Sequence, residues 1–158
     1  MLDDDYYRRI EAIQFTMSHD DGKKVDDINT ADVILLGVSR TSKTPTSIYL
    51  ANRGFKTINI PLVLDQKIPD SLKLNKKACI IGLIADPERL ADIRRNRVAI
   101  MKDHNIKEYT DLNSIKKEVN DSRDLFKKNN WPIIDVTRRS VEETAASILK
   151  IIEIKKKR

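Results

Sequence analysis

Residues 37–44, Gly-Val-Ser-Arg-Thr-Ser-Lys-Thr, are of the types that bind and transfer phosphate. The run directly follows the apolar residues 33–36 and precedes a segment with helical spacing. A loop that ends in Lys-Thr between a buried strand and a helix is typical of polyphosphate sites, where loop amides and the helix N-terminus face the phosphates. Ser42 stands in the place of the second glycine of the usual pattern, so the prediction depends on the context as well as the pattern.

Each side chain of this loop has a role in the phosphate interpretation. Lys43 is predicted to bridge phosphate oxygens, and Thr44 is predicted to bind Mg²⁺ or a phosphate. Arg40 can add a bidentate contact, and the neighbouring hydroxyl groups can donate hydrogen bonds. The alternative is a polar turn that only caps a helix. The predicted phosphate-binding set is Gly37, Val38, Ser39, Arg40, Thr41, Ser42, Lys43 and Thr44.

A second group that could do chemistry is His19-Asp20-Asp21-Gly22. Two adjacent carboxylates beside a histidine could hold a metal ion or take a proton from a hydroxyl nucleophile. The alternative is a polar helix end before a glycine turn. No metal-ligand spacing in the sequence indicates a zinc site.

Arginines form the third group. Arg94, Arg95 and Arg97 could neutralise charge that develops on a transferring phosphoryl group, or they could form a solvated helix face. Arg138 and Arg139 could contact a phosphate or stack on a base. Both flank a predicted helix start, where positive charge is mildly unfavourable, and this small cost hints at another use.

The hydrophobic pattern predicts the elements that position these groups. Tyr6, Ile10, Ile13 and Met17 recur at helical spacing and predict a first amphipathic helix that ends near Gly22. Buried strands are predicted at 32–37, 56–63, 78–84 and 131–136. One helix is predicted at 44–53 and ends at Gly54, and another is predicted over 112–126. A helix that begins at Asp86-Pro87 is predicted to bury Leu90, Ile93, Val98 and Met101. The last helix is predicted to begin at a capping box at 140–143. Polar connectors are predicted at 23–31, 64–77 and 102–110.

Strands that alternate with helices indicate an α/β fold, with a P-loop-type parallel sheet of about four strands covered by helices on both faces. Ligands of such sheets bind beyond the carboxyl ends of the strands. The segments 37–44, 85–97 and 137–140 all follow strands, so we expect them to meet at one edge of the sheet.

The bulk composition describes a globular protein. The 158 residues fit one domain, 1–158, with a basic tail at 154–158. No apolar run is long enough to span a bilayer and no secretory leader opens the sequence, so no membrane association is expected. The single cysteine, Cys79, lies in an apolar run and is expected in the core of a cytoplasmic protein. The net charge of +6 could indicate nucleic-acid binding, but acids are mixed with the bases and aromatic residues make up only 5%, so no nucleic acid is expected.

Several long motifs resemble one known family, the bacterial and plastid regulators of pyruvate, phosphate dikinase and phosphoenolpyruvate synthase. The main one is Gly-Val-Ser-Arg-Thr-Ser-Lys-Thr-Pro-Thr-Ser-Ile-Tyr-Leu-Ala at 37–51. The resemblance covers essentially the whole chain. The other matching segments are 19–22, 59–63, 82–83 with 87–90, 93–97 and 134–145.

The resemblance implies a bifunctional enzyme, an ADP-dependent serine/threonine kinase and phosphorylase. Such proteins inactivate the dikinase by moving a phosphoryl group from ADP to a threonine. They reactivate it with inorganic phosphate and release pyrophosphate. The family's nucleotide motif falls on 37–44 and its His-Asp-Asp-Gly motif on 19–22, which strengthens Asp20 or Asp21 as the base or metal contact.

Family members usually have a long further segment before the first motif, so the chain resembles their C-terminal portion. The predicted catalytic residues are Asp20, Asp21, Lys43, Arg94 and Arg97, with ADP, Mg²⁺ through Thr44, and inorganic phosphate as co-substrate. The predicted target is the dikinase or, with the same chemistry, the synthase. The chain could also form a homo-oligomer. The competing hypotheses are a small-molecule kinase that uses ATP and a non-catalytic nucleotide-binding module.

Overall fold

The computed structural model describes residues 4–19, 28–62, 72, 77–101 and 110–156. Four strands form one sheet, namely β1 (Val33–Gly37), β2 (Thr57–Pro61), β3 (Cys79–Ile84) and β4 (Ile133–Asp135). The α-helices of the described part are α1 (Asp4–Ser18), α2 (Lys43–Ala51), α3 (Pro87–Met101), α4 (Leu112–Lys128) and α5 (Val141–Lys156). The predicted α/β fold is confirmed.

The sheet is parallel throughout, and its strand order is β2-β1-β3-β4. All residues of β1 and β3 are buried, as expected for inner strands that are covered on both faces. From β1 the chain moves outward in one direction to β2, and from β3 it moves in the other direction to β4. The order therefore reverses between β1 and β3, which is where parallel α/β sheets form a ligand crevice.

The helices cover the sheet in two groups. α2 packs against α1 and α5, while α3 packs against α4, which also contacts β3. The β1-α2-β2 and β3-α3-α4-β4 crossovers run in opposite directions, so right-handed connections place α2 and α4 on opposite faces. On the α4 face, Gly82 lets the strand approach Phe126 closely, since a Cβ at Gly82 would lie 2.2 Å from the Phe126 ring.

The predicted helix signals are confirmed in detail. The Asp86 carboxylate accepts a hydrogen bond from Arg89 N at the start of α3. Ser140 Oγ accepts from Glu143 N, which is the first of the two bonds of a capping box, and the Ser140 hydroxyl donates to the Glu143 carboxylate. Gly54, with φ 90°, ends the turn after α2.

The strands are shorter than predicted, since β1 and β3 each begin one residue later, β2 spans Thr57–Pro61 and β4 spans only Ile133–Asp135. Cys79 is a buried free thiol, as predicted, and burial raises its pKa although Lys155 opposes the shift. Within the described residues, no helix combines the length and the apolar character needed to cross a membrane.

The predicted apolar face of α1 is confirmed for Ile10 and Ile13, which are half-buried, and is wrong for Tyr6 and Met17. Ala12 and Thr16 are the buried positions, whereas Met17 is 66% exposed and Tyr6 is 37% exposed. The helix is oriented by a polar contact, since Thr16 Oγ1 accepts a hydrogen bond from Thr57 N at the start of β2. Spacing alone could not reveal this, because both helix faces carry apolar residues.

A similar correction applies to Ile93, which is 36% exposed on α3, while Leu90 is buried as predicted. The side chains of Val98 and Met101 lie outside the described part. Most of the predicted connectors at 23–31, 64–77 and 102–110 also lies outside it. In the predicted basic tail, 154–156 belong to α5 and the last two residues are not described.

Candidate functional site

The loop between β1 and α2 begins at a glycine that no other residue could replace without movement. A Cβ at Gly37 would lie 2.6 Å from Thr41 Oγ1 and 2.9 Å from the Leu83 carbonyl oxygen. The second contact is with the backbone of β3, which cannot rotate away. Gly37 therefore brings the loop tightly against the point where the strand order reverses.

The loop closes on itself through its own polar groups. The Thr41 hydroxyl, fully buried, donates to the Val38 carbonyl oxygen at 2.8 Å. Arg40 and Ser42 have φ values of 72° and 61°, in the left-handed region. This is the curled backbone that glycine-rich phosphate loops adopt, and here arginine and serine adopt it.

Lys43, the first residue of α2, points back into the loop. Its ammonium donates to the Val38 carbonyl oxygen at 2.8 Å and to Thr41 Oγ1 at 3.2 Å, and the residue is only 6% exposed. A buried ammonium is attracted strongly to a nearby anion, since the low local dielectric strengthens the attraction. Lys43 is thus placed inside the loop, where the phosphate interpretation of the sequence predicts a cation.

The loop borders a cavity of about 190 Å³ lined by Ser39, Arg40, Ser42, Lys43, Thr44, Pro45 and Pro61. The Ser42 side chain makes no capping hydrogen bond to α2, so its hydroxyl does not block the helix N-terminus. Two cationic side chains and three hydroxyl groups line this cavity, which fits the diphosphate of a nucleotide.

A hydroxyl group of this cavity could hold Mg²⁺ that arrives with a nucleotide. Magnesium ions at such sites are usually held by one or two protein oxygens together with phosphate oxygens and water. Thr44 supplies one hydroxyl at the cavity. Within the described ranges no group of three or more His, Cys, Asp or Glu could hold a metal by itself.

We expect Ser42→Gly to stabilise the fold by about 0.5–1 kcal/mol. A left-handed L-residue costs roughly 1–2 kcal/mol, and the greater chain entropy of glycine offsets only about half of that. Thermal unfolding of Ser42→Gly and Ser42→Val would test this, with the branched valine expected to lower stability. A glycine variant less stable than the parent would show that Ser42 contributes something other than backbone strain.

Behind the loop, α2 is anchored to β2 by a buried polar chain. Asn59 Nδ2 donates to Ser47 Oγ at 3.1 Å, and the Ser47 hydroxyl in turn donates to the Lys43 carbonyl oxygen. Asn59 and Ser47 are each 1% exposed. The contact fixes the first turn of α2, and with it the backbone that carries Lys43.

Arg94 is buried, and its guanidinium braces the loop from the other side. It donates to the Glu118 carboxylate at 2.6 Å and to the Ser39 carbonyl oxygen at 3.1 Å. The Arg94 side chain is 0% exposed and that of Glu118 is 16% exposed. One side chain thus ties α3, α4 and the phosphate loop together.

The other predicted arginines lie in different surroundings. Arg95 is exposed and pairs with Asp92 on its own helix at 3.6 Å. Arg97 is exposed on α3. A direct contact of Arg94 or Arg97 with a phosphoryl group stays a prediction, and the structure shows Arg94 in a bracing role.

The predicted acids Asp20 and Asp21 lie outside the described residues, as does Gly22. His19, just before them, is 3% exposed, and its ring stacks on Phe15 with centroids 4.0 Å apart. His19 Nδ1 lies 2.6 Å from the Phe15 carbonyl oxygen, which places the proton on that nitrogen. The role of the two carboxylates stays a prediction.

The turns after β3 and β4 are joined at the same edge of the sheet. Thr137 Oγ1 accepts a hydrogen bond from Asp86 N at 2.7 Å, and Thr137 N donates to the Asp135 carboxylate at 2.9 Å. The predicted meeting of the segments after β1, β3 and β4 at one edge is confirmed by the strand register and these contacts.

The sequence did not indicate Glu118 at all, and it placed Thr137 at this edge of the sheet without indicating its contacts. Glu118 lies 24 residues from Arg94, on a helix whose pattern indicates only which face is apolar. Thr137 is one of many hydroxyl residues near a strand end. Neither carries a local signal, since both act through contacts between distant segments.

Comparison with known proteins gives a consistent match. The family model described as kinase/pyrophosphorylase matches residues 1–149. A relative from Pelagibacter ubique is 63% identical over 98% of this chain and 57% of its own length. Relatives from Sinorhizobium fredii and a Chelativorans strain are 54% and 51% identical, each over 96% of this chain and 56% of their own length. All three are named as regulatory proteins of pyruvate, phosphate dikinase, and the chain spans just over half the length of each.

Proposed function

The chain belongs to the kinase/pyrophosphorylase family, and on that premise we propose that it is a regulatory phosphotransferase that acts on pyruvate, phosphate dikinase. In one direction it moves the terminal phosphoryl group of ADP to a threonine of the target. In the other it moves that group from the phosphothreonine to inorganic phosphate. The chain spans 57% of the length of the relative from Pelagibacter ubique. We therefore propose, for this chain, the activity of a longer protein.

The observation that carries the proposal is the position of Lys43. Its ammonium lies inside a closed loop, at the reversal of strand order, beside a cavity lined by cations and hydroxyl groups. A polyphosphate is the ligand whose charge and size match this arrangement. The names of the relatives support the dikinase as the target, and the family description supports a phosphoryl-transfer reaction.

In the forward reaction the threonine oxygen forms a bond to the terminal phosphorus of ADP. The bond from that phosphorus to the bridging oxygen breaks, and AMP leaves. Lys43 and Arg40 would bind the phosphates and neutralise the charge that passes to the leaving group. Asp20 or Asp21 would accept the threonine proton.

In the reverse reaction an oxygen of inorganic phosphate attacks the phosphothreonine phosphorus. Pyrophosphate forms and the threonine oxygen recovers its proton from the same acid. Mg²⁺, held by Thr44 and the phosphates, would supply charge neutralisation to both reactions. The Arg94 brace would keep the Ser39 backbone, and thus the loop, in one geometry throughout.

A second candidate function is nucleotide binding without catalysis. It is favoured by the length match, since the chain spans 57% of the relative from Pelagibacter ubique and the longer relative could carry groups needed for transfer. This candidate predicts that ADP binds and that no partner is phosphorylated.

One experiment separates these candidates. The chain is incubated with Mg²⁺, ADP labelled on its terminal phosphate, and either the dikinase or phosphoenolpyruvate synthase. Labelled phosphothreonine on the dikinase, with release of AMP, is the expected result. Label on the synthase alone would change the target, and ADP binding without label on either protein would favour the binding module. Parallel titrations with ATP and AMP test the alternative of an ATP-dependent kinase, which would bind ATP in preference to ADP.

A further inference from the structure

Four non-glycine residues in the described part of the chain have positive φ, namely Arg40, Ser42, Asn130 and Arg138. Asn130 precedes β4, whereas the other three lie at the carboxyl edge of the sheet. Asparagine tolerates this conformation, whereas arginine gains nothing from it. Arg40 and Ser42 belong to the phosphate loop, and Arg138, with φ 60°, follows β4 at the same edge. Residues held in such conformations concentrate at functional sites.

Arg138 is the third residue of a tight turn. Arg139 N donates to the Val136 carbonyl oxygen at 3.1 Å, which closes the turn around residues 137 and 138. With positive φ, this position strongly favours glycine. The turn is also fixed in place through the contacts of Thr137 with Asp86 and Asp135. The Arg138 side chain therefore starts from a rigid point.

The strand register fixes the position of this turn relative to the phosphate loop along the strand direction. Leu36 of β1 pairs with Gly82 of β3, and Gly82 pairs with Ile133 of β4. β1 ends one residue after Leu36, at Gly37, where the phosphate loop begins, and β4 ends two residues after Ile133, at Asp135. β1 and β4 are separated only by β3, which places them about 10 Å apart. A long side chain that leans along the edge can cross most of that interval.

The Arg138 side chain makes no polar contact with the described residues that would explain its presence in this turn by a structural role. Its side chain is exposed, and among the described residues it has no hydrogen bond or ion pair. The neighbouring Arg139 contacts Ser147, and Arg94 is held by Glu118. An arginine in a glycine position without a protein partner is best explained by a ligand.

We propose that Arg138 is a further phosphate-contacting residue, whose guanidinium binds the terminal phosphate of ADP from the side opposite Arg40. This inference rests on the proposed function, which supplies the nucleotide. The planar guanidinium matches a phosphate group with two parallel hydrogen bonds, which a lysine at this position could not reproduce. Bracketing by two arginines would hold the phosphoryl group between AMP and the acceptor threonine.

The test uses Arg138→Gly, with Asn130→Gly as a matched control. Both variants place glycine at a left-handed position, but Asn130 lies at the amino end of β4, away from the phosphate loop. Calorimetry with Mg²⁺ measures the dissociation constants for ADP and AMP. We expect Arg138→Gly to weaken ADP binding roughly 10- to 100-fold, as for the loss of charge-assisted hydrogen bonds, and to leave AMP binding within about 2-fold.

Thermal unfolding adds a readout that a structural role would not give. Arg138→Gly should unfold about 2 °C higher than the parent, since it relieves backbone strain, even though it binds ADP less well. Asn130→Gly should keep full ADP affinity, and Arg138→Lys should recover only part of it.

Unchanged ADP affinity in Arg138→Gly, with a parent chain that binds ADP, would overturn the inference and leave the proposed function intact. Equal weakening of ADP and AMP binding would also overturn the contact with the terminal phosphate. A parent chain that binds no ADP would overturn the proposed function and this inference together.

Discussion

Lys43→Ala is expected to weaken ADP binding by at least about 100-fold and to lower any phosphoryl transfer by roughly 10²–10³. The ammonium is the cation that lies inside the loop, and alanine leaves the diphosphate facing the Val38 carbonyl oxygen instead. The loss of ADP binding should exceed any loss of stability, and thermal unfolding of the variant separates the two effects. Calorimetry with Mg²⁺ and ADP measures the effect directly.

Lys150→Ala is the matched control, since Lys150 is exposed on α5 and the substitution removes the same charge from the chain. It should bind ADP as the parent does. Lys43→Arg should not restore full affinity, because the larger guanidinium cannot occupy the buried position of the ammonium. If the Lys43→Ala chain bound ADP with a dissociation constant within 2-fold of the parent value, the loop would not be part of the ADP-binding site.

Arg94→Ala is expected to lower the free energy of unfolding by about 3 kcal/mol, whereas Arg95→Ala should change it by less than about 0.5 kcal/mol. The two neighbours carry the same side chain, but only Arg94 is buried and bonded to Glu118 and the Ser39 carbonyl oxygen. Breaking a fully buried pair costs about 3–5 kcal/mol, and the partial exposure of Glu118 favours the lower end. Chemical denaturation of the two variants measures the difference.

The loss of Arg94 should also change the affinity for ADP. Without Arg94 the Ser39 carbonyl oxygen loses its donor, so the phosphate loop should order less well and ADP should bind more weakly, even where the variant is fully folded. Glu118→Gln keeps a hydrogen-bond acceptor and should lose less stability than Glu118→Ala. Equal stability of Arg94→Ala and Arg95→Ala would contradict the buried geometry.

The fold was largely predictable from the sequence because its strong signals are local. Strands such as β1 and β3 are continuous apolar runs, and helix starts at Asp86 and Ser140 have capping residues whose contacts the structure confirms. The loop at 37–44 was predictable for the same reason. Its residues are contiguous, and the glycine that brings it against β3 is part of the pattern.

What could not be predicted depends on contacts between distant segments. α1 packs on α2 and β2 with Ala12 and Thr16 inward, and the hydrogen bond between Thr16 and Thr57 belongs to a contact that helical periodicity does not encode. Arg94 has the sequence surroundings of a solvated charge, and only its pairing with Glu118 on another helix buries it. The backbone conformation of Arg138 was equally invisible, since the sequence shows an arginine where the turn favours glycine.

The most direct test of the phosphate loop is a crystal structure of the chain grown with ADP and Mg²⁺. The diphosphate is expected within hydrogen-bond distance of Lys43 Nζ and of the loop amides, in the cavity beside Arg40 and Thr44. Nucleotide bound elsewhere, with the Lys43 ammonium still bonded to Val38 and Thr41 and not to a phosphate, would contradict the assignment.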